Sequence, residues 1–377
     1  MIIKNFIKFF PGDQLDIEQS KEKFDLILIF GDRTILEKEN FYDEVTNTFK
    51  SNHFFGCSTA GEIINNNALE NTVVFTGIKF SNTKIKIIKE KVNSSENSYA
   101  AGKKLASKLE QNNLKHLLIL SEGVNINGSK LLRGIKSCLS DDVAITGGLA
   151  GDYDKFQKTT IIADAPPESN IIAGIGFYGD NIKIGYGSYG GWEPFGPYRL
   201  ITKSKGNIVY TIDNKPALEL YKAYLGKYHK NLPASALFFP LALKSSKGNI
   251  VRTVLSINES DGSMTFAGDM PEGKLCRFMK SNLYKLIEGA GIAAQNSISS
   301  LDIKNNALAI LISCVGRKLL LKQRSSEEIE EVSNILGKNT YITGFYSYGE
   351  FSPFKFGEKS KLHNQTMTIT VLYETNT

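Results

Sequence analysis

The sequence predicts an α/β protein of two lobes, each with mixed sheets flanked by helices, and three observations point there. Short apolar runs of strand length alternate with segments of 3.6-residue periodicity. Three stretches repeat one order: strand, helix, strand, then a glycine-rich turn closed by an acid. Between them the pattern changes to strands flanking short polar turns. Such alternation marks layered α/β architecture, with right-handed crossovers where strands run parallel.

In chain order, 24–30 reads as a buried strand, 40–49 as a helix, and 53–55 as a strand running into Gly56-Cys57-Ser58-Thr59-Ala60-Gly61-Glu62. The segments 72–80 and 84–90 flank Ser81-Asn82-Thr83 and read as a hairpin. Ser98 is placed to cap a helix through Leu105 and Leu109. The second unit has a strand at 117–120 and a helix at 129–139 with Leu131, Leu132 and Ile135 on one face. Its second strand, 143–145, enters Thr146-Gly147-Gly148-Leu149-Ala150-Gly151-Asp152. A further hairpin is expected from 171–178 and 182–189 around Gly179-Asp180-Asn181.

The stretch from Gly190 to Pro197 ends this region and 207–213 starts afresh, so the domains divide as 1–205 and 206–377. The second lobe carries a helix at 216–225, extended segments at 235–243 and 250–257, and a long helix at 277–295. The third unit follows: a strand at 307–313, a helix at 325–336 with Ser325 three residues before Glu328, and a strand at 341–342. It ends in Thr343-Gly344-Phe345-Tyr346-Ser347-Tyr348-Gly349-Glu350, and on this order the second lobe resembles the first.

Composition narrows the function. Apolar residues make up 41% and charged residues 22% of the 377, an ordinary globular balance. The cysteines at 57, 138, 276 and 314 form no C-x-x-C pair, which argues against a disulfide framework or zinc site and for a reducing, cytoplasmic setting. The formal charge is +6, with lysines spread along the chain, so nucleic acid is not expected as a partner. No apolar run approaches the roughly 18 residues of a membrane helix, and insertion into a membrane is not expected. The opening ten residues carry Lys4 and Lys8 without a small-residue cleavage site and make a poor secretion signal.

The glycine-rich turns are the places for chemistry, because open α/β sheets hold ligands at the carboxyl ends of their strands. Their glycines permit close backbone approach, while Glu62, Asp152 and Glu350 supply charge. No dinucleotide fingerprint, phosphate loop or metal motif occurs. Cys57, Ser58 and Thr59 form a cluster in which burial or ligand contact is the expected role and a cysteine-dependent enzyme the alternative, since no histidine at 53, 116, 229 or 363 is spaced as its base. Arg317 follows a buried strand, where its planar fork suits a carboxylate; an internal pair with Glu350 or Glu328 is the competing role. Arg277, at the start of the long helix, is a second candidate. Trp192 caps a pocket or anchors its loop. Tyr346 and Tyr348 share a face if extended and suit the wall of a small-ligand site.

These motifs resemble the FIST family, a pair of sensory domains found in signal transduction proteins. The N-terminal matches are the turns at Gly56 to Glu62 and Gly147 to Asp152, with Gly191-Trp192-Glu193-Pro194-Phe195-Gly196. The C-terminal matches are Gly268-Asp269-Met270-Pro271-Glu272-Gly273, Cys314-Val315-Gly316-Arg317, Gly344 to Glu350, and His363-Asn364-Gln365-Thr366. The resemblance implies sensing of a small ligand, an amino acid or related carboxylate, and not catalysis. Arg317 or Arg277 would then hold the carboxylate, Glu350, Glu62 or Asp152 the amine, and Tyr346 or Tyr348 the apolar part. A haem-based gas sensor is the alternative, because some relatives resemble haem-binding nitric-oxide sensors. Where family members have histidine before the Gly-Trp pair this chain has Gly190, so no cofactor is expected. No kinase, methyl-accepting or cyclase segment is recognised, so output is expected through a separate signalling protein such as a kinase or cyclase, or through a homo-oligomer.

Overall fold

The apolar run at the start of the first unit forms the strand Leu26–Gly31, and its alternation explains the layering. Leu26, Leu28 and Phe30 face a central core, whereas Ile27 and Ile29 pack with Ile35, Leu36, Phe41 and Val45 of the helices Arg33–Leu36 and Phe41–Thr48. Successive strand side chains point to opposite faces, so an all-apolar strand has to be covered on both. The computed structural model describes residues 1–9, 22–232, 234–245 and 249–375.

Three mixed sheets turn one face to that core. The first has the order Ile2–Phe9, Thr72–Lys79, Leu26–Gly31, Phe54–Ser58, Ile161–Ala163. The second runs Lys361–His363, Gly349–Ser352, Ala144–Leu149, Leu114–Ser121, Ile171–Tyr178, Lys84–Lys91. The third runs Ile182–Tyr189, Met367–Glu374, Ala307–Cys314, Thr340–Ser347, Glu62–Ile64, Asn67–Leu69. Phe30 and Phe55, Leu118 and Leu120, and Ile310 and Phe345 meet between them. The helices Ser98–Ala106, Gly128–Lys136, Leu283–Ile298 and Ser325–Leu336 bury apolar faces in a second core shared with the outer faces of the second and third sheets. Among the described residues no helix is long and apolar enough to cross a membrane.

Each of these sheets holds one parallel pair: Leu26–Gly31 with Phe54–Ser58, Leu114–Ser121 with Ala144–Leu149, and Ala307–Cys314 with Thr340–Ser347. In each pair the second strand brings a glycine onto the first. A side chain at Gly56, Gly147 or Gly344 would overlap the carbonyl of Ile29, Ile119 or Leu311. Beyond each pair the chain leaves its sheet and adds a strand to a neighbouring one. Glu62–Ile64 joins Thr340–Ser347, Gly349–Ser352 joins Ala144–Leu149, and Ile161–Ala163 joins Phe54–Ser58. The three turns therefore meet: Ala60 N–H donates to the Tyr346 carbonyl at 2.8 Å, Gly151 N–H to that of Ser58 at 3.0 Å, and Tyr348 N–H to that of Leu149 at 3.2 Å.

Neither expected hairpin forms. Thr72–Lys79 pairs in the first sheet and Lys84–Lys91 in the second; Ile171–Tyr178 lies in the second and Ile182–Tyr189 in the third. Each short connection carries the chain between packed sheets, and its two strands spend their backbone bonds on distant partners. At 81–83 the Glu374 carboxylate accepts from the N–H groups of Ser81, Asn82 and Thr83 and from the Thr83 hydroxyl. Burial opposes the charge of Glu374, yet these donors hold its pKa down at about 2. The helix expected from 277 begins only at Leu283, where Asn282 accepts from Lys285 N–H, and Arg277 lies on the strand Leu275–Lys280. Ser98 and Ser325 do not cap; their hydroxyls donate to the carbonyls of Ser95 and Lys322.

A fourth sheet occupies 193–280, in the order Ile250–Arg252, Leu241–Leu243, Leu275–Lys280, Glu193–Lys205, Ile208–Ile212, Ser263–Phe266, Val254–Asn258, with Lys215–Pro216 beside Ile208–Ile212. It has its own core, including Ile201, Tyr221, Leu241, Phe266 and Phe278. The expected domain limit near 205 lies in the turn between the paired strands Glu193–Lys205 and Ile208–Ile212.

Candidate functional site

The first turn builds a buried carboxyl. Glu62 accepts from the Thr59 hydroxyl at 2.5 Å and from the Thr72 hydroxyl at 2.6 Å. Desolvation outweighs these bonds and the attraction of Lys318, and raises its pKa to about 7. Lys318, on the helix Val315–Leu321, reaches across to the turn: its ammonium donates to the Ala60 carbonyl at 2.8 Å and lies 4.6 Å from the Tyr153 ring centre. Gly61 has φ +134°, and a side chain there would collide with that ammonium. Burial lowers the Lys318 pKa, and the carboxylate of Glu70, half exposed, pairs with it at 2.8 Å. Over this ammonium lies an open cleft of about 490 Å³ lined by Glu70, Tyr153, Lys318, Lys322, Gln323 and Ser326 among others. Two further recesses of similar size lie elsewhere on the chain.

The other two turns carry Asp152 and Glu350. Asp152 accepts from the N–H groups of Gln157 and Lys158, and takes a short hydrogen bond from the Tyr348 hydroxyl, whose ring stacks on Phe156. Glu350 repeats the Glu62 arrangement, accepting from the Ser347 hydroxyl and the Thr366 hydroxyl at 2.8 Å each. Desolvation raises its pKa to about 8. Ser58 accepts from Thr160 N–H. Cys57 is buried on its strand, and desolvation holds its thiol pKa well above the ordinary value, an environment for an inert thiol and not for a nucleophile.

Arg317 sits one residue from Lys318 but points into a different network. It is fully buried; Nε and Nη2 donate to Glu328 Oε2 at 3.1 and 2.8 Å, Nη1 to the Gly190 carbonyl at 2.8 Å, and Nη2 to the Leu286 carbonyl at 2.7 Å. Glu328 also accepts from Tyr346 and Ser313. The fork expected to take a ligand carboxylate thus makes the internal pair with Glu328. Trp192 donates to the Gln365 carbonyl at 2.9 Å and packs beside Leu286 and Met279, which anchors its loop. Arg277 lies in the fourth sheet, its guanidinium 4.5 Å from the Tyr198 ring centre. The structure therefore brings Glu62, Thr59, Tyr346 and, through Tyr348, Asp152 around the turns. Two cations line the cleft, Lys318 and the exposed Lys322, and Lys318 is the buried one that reaches the first turn.

All four histidines take part in hydrogen bonds. His116 and His363 are buried among rings with their pKa pushed down to about 3 by desolvation, and their Nε2 atoms bond Thr146 and the Ser352 carbonyl. His53 bonds Asp164 and His229 the Gly226 carbonyl. Among the described residues no cluster of three or more metal-binding side chains occurs.

A model of the FIST N domain matches residues 25–215, and a model of the FIST C domain matches 217–353. An uncharacterized protein of Methanocaldococcus jannaschii is 27% identical over 223 residues, a stretch that covers 55% of this chain and 41% of that relative, so this chain spans less than half of its length. Among solved structures, cyanuric acid hydrolase from A. caulinodans aligns over 100% of this chain and 99% of its own at 6% identity and a TM-score of 0.36. PurLQS from Thermotoga maritima aligns over 94% of this chain and 66% of its own at 9% identity and a TM-score of 0.17. Superpositions this loose carry nothing about fold or activity.

Proposed function

This chain belongs to the FIST family, whose paired domains are sensory modules and not catalytic ones, and on that premise we propose that it binds an amino acid or related carboxylate in the cleft over Lys318. The observation that carries the reading is one buried ammonium at the foot of that cleft, held by the Ala60 carbonyl and Tyr153 and neutralised by the half-exposed Glu70. A ligand carboxylate takes the place of Glu70 on Lys318, and the released Glu70 carboxylate receives the ligand amine. Both ligand charges are then met as water leaves, which a buried site requires. Neither haem nor metal enters this reading. The signal passes to a separate protein, such as a kinase or cyclase. The recurrence of the parallel pair, its glycine contact and its transfer to a neighbouring sheet supports reading the three units as copies of one element, so that the cleft sits where copies meet.

Thermal-shift measurements with the twenty amino acids and small carboxylates test this, since a ligand specific to the folded state raises its stability. A compound that stabilises the wild type should lose its effect in Lys318→Met, by about 2–5 kcal/mol of affinity in calorimetry if the pair is desolvated. Equal binding by a folded Lys318→Met protein, or no stabilising compound in the set, would overturn it.

A further inference from the structure

The fourth sheet carries the charge of the whole chain. Residues 193–280 contain thirteen lysines and arginines against seven aspartates and glutamates, a balance of +6 that equals the formal charge of all 377 residues. Everything outside this body is neutral in sum. The segregation was invisible while the lysines were read along the chain, because only the fold shows that 193–280 is one body with its own core.

Within that body Tyr198 gathers two cations. Arg277 lies 4.5 Å and the exposed Lys244 5.0 Å from its ring centre, and the Tyr198 hydroxyl donates to Asn249 at 3.2 Å. Among the described residues neither cation has a carboxylate partner, and Arg277 Nε is buried without any hydrogen-bond acceptor. Arg277 as a whole is half-buried, and a guanidinium takes a carboxylate in strong charge-assisted hydrogen bonds. The same body exposes Leu200, Phe238 and Leu255.

We propose that this face, centred on Tyr198, Lys244 and Arg277, docks an acidic segment of the separate signalling protein, a proposal that rests on the sensory reading above. Cations without carboxylate partners, on a body that also exposes apolar side chains, match a peptide of carboxylates and apolar residues. A nucleic-acid backbone, by contrast, repeats its charge every few ångströms and asks for a continuous basic stripe. Arg277, expected to meet a ligand carboxylate in the pocket, thus meets a partner's carboxylate instead.

The test is fluorescence anisotropy of the full chain with a labelled peptide of alternating glutamate and leucine, alongside a single-stranded DNA oligonucleotide and phosphatidylserine vesicles. The peptide should bind, more weakly as salt rises, and Lys244→Glu with Arg277→Glu should reduce its affinity at least about tenfold. Lys50→Glu with Lys103→Glu, the same charge change elsewhere, should leave it unaltered. If the double variant does not fold, Lys244→Ala, at an exposed site, supplies the comparison. Absence of peptide binding, equal binding by the site variant, equal loss in the control pair, or binding of only the oligonucleotide or vesicles overturns the proposal. Lys318→Met should retain the peptide while losing the small ligand, so failure here and failure of the cleft reading are separable.

Discussion

The turns at Glu62 and Glu350 are built alike and placed differently. Each acid accepts from a hydroxyl three residues earlier, Thr59 or Ser347, and from a more distant threonine, Thr72 on its strand or Thr366 just before one. Around Glu62 the flanking glycine lets Lys318 in, and a cleft opens above. Around Glu350 the corresponding space is filled by packed chain: Gly349 lies against Leu149 and Leu362, and the Glu350 strand pairs on both sides. Lone buried carboxyls are costly wherever they occur. One of these costs is offset by an ammonium that a ligand can reach, and the other is sealed, so a shared motif does not imply a shared role.

The largest effect expected is at Arg317, the residue on which the sequence reading placed the ligand. Arg317→Ala leaves Glu328 buried without its cation and the Gly190 and Leu286 carbonyls without a donor, a loss of about 3–5 kcal/mol in urea unfolding. Lys318→Met, one residue on, should cost less stability while removing the ligand. Equal stability losses at the two positions would erase the distinction between a clamp and a receptor.

The pH dependence of stability sharpens the comparison next. Both folded pKa values lie above the ordinary carboxyl value, about 7 for Glu62 and about 8 for Glu350. Below about pH 4.5 both acids are neutral in either state; as pH rises to 7 or 8 the unfolded chain releases protons that the folded one keeps, and stability falls. Each acid accounts for roughly 3–5 kcal/mol across its window if fully expressed. Glu62→Gln and Glu350→Gln should each flatten the decline, Glu350→Gln up to the higher pH. An unchanged slope in the double variant would show that neither acid is held neutral. Glu374 works with the opposite sign: its pKa of about 2 stabilises the fold above the carboxyl range and is lost only as pH falls toward 2.

The smallest contrast lies in the glycines. Gly61→Ala forces a side chain into φ +134° and onto the Lys318 ammonium, for a cost of about 1–3 kcal/mol and loss of ligand binding. Gly349→Ala meets its nearest neighbour, a Leu149 methyl, at 3.1 Å, and should cost under about 1 kcal/mol. Unfolding curves of the two variants check the difference, and a reversed order would mean that Lys318 does not occupy the space over Gly61.

The residues that line the cleft, among them Glu70, Tyr153 and Lys318, were not singled out in the sequence. The glycine-rich composition of the turns bearing Glu62, Asp152 and Glu350 is written locally, and long-range backbone hydrogen bonds bring those turns together. The partners were not legible. Arg317 and Lys318 look equivalent to a carboxylate, and which of them faces the cleft depends on helix Val315–Leu321 packing Glu328 on one side and Ala60 on the other. The two missing hairpins have the same origin. A short polar bend between apolar strands serves equally for a return within one sheet and for a crossing between two, and Glu374, almost three hundred residues away, completes the bend at 81–83.

The amino-acid sequence by itself determined the α/β class and the resemblance to FIST, since these follow from side-chain period, turn chemistry and motif spacing within short windows. Only the tertiary structure decided which strands share a sheet, that residues 193–280 form a separate basic body, and that Lys318 and not Arg317 faces the cleft. Those outcomes rest on burial and on long-range hydrogen bonds, which are competitions among distant segments for one core and one set of partners, and no local window of sequence contains both competitors.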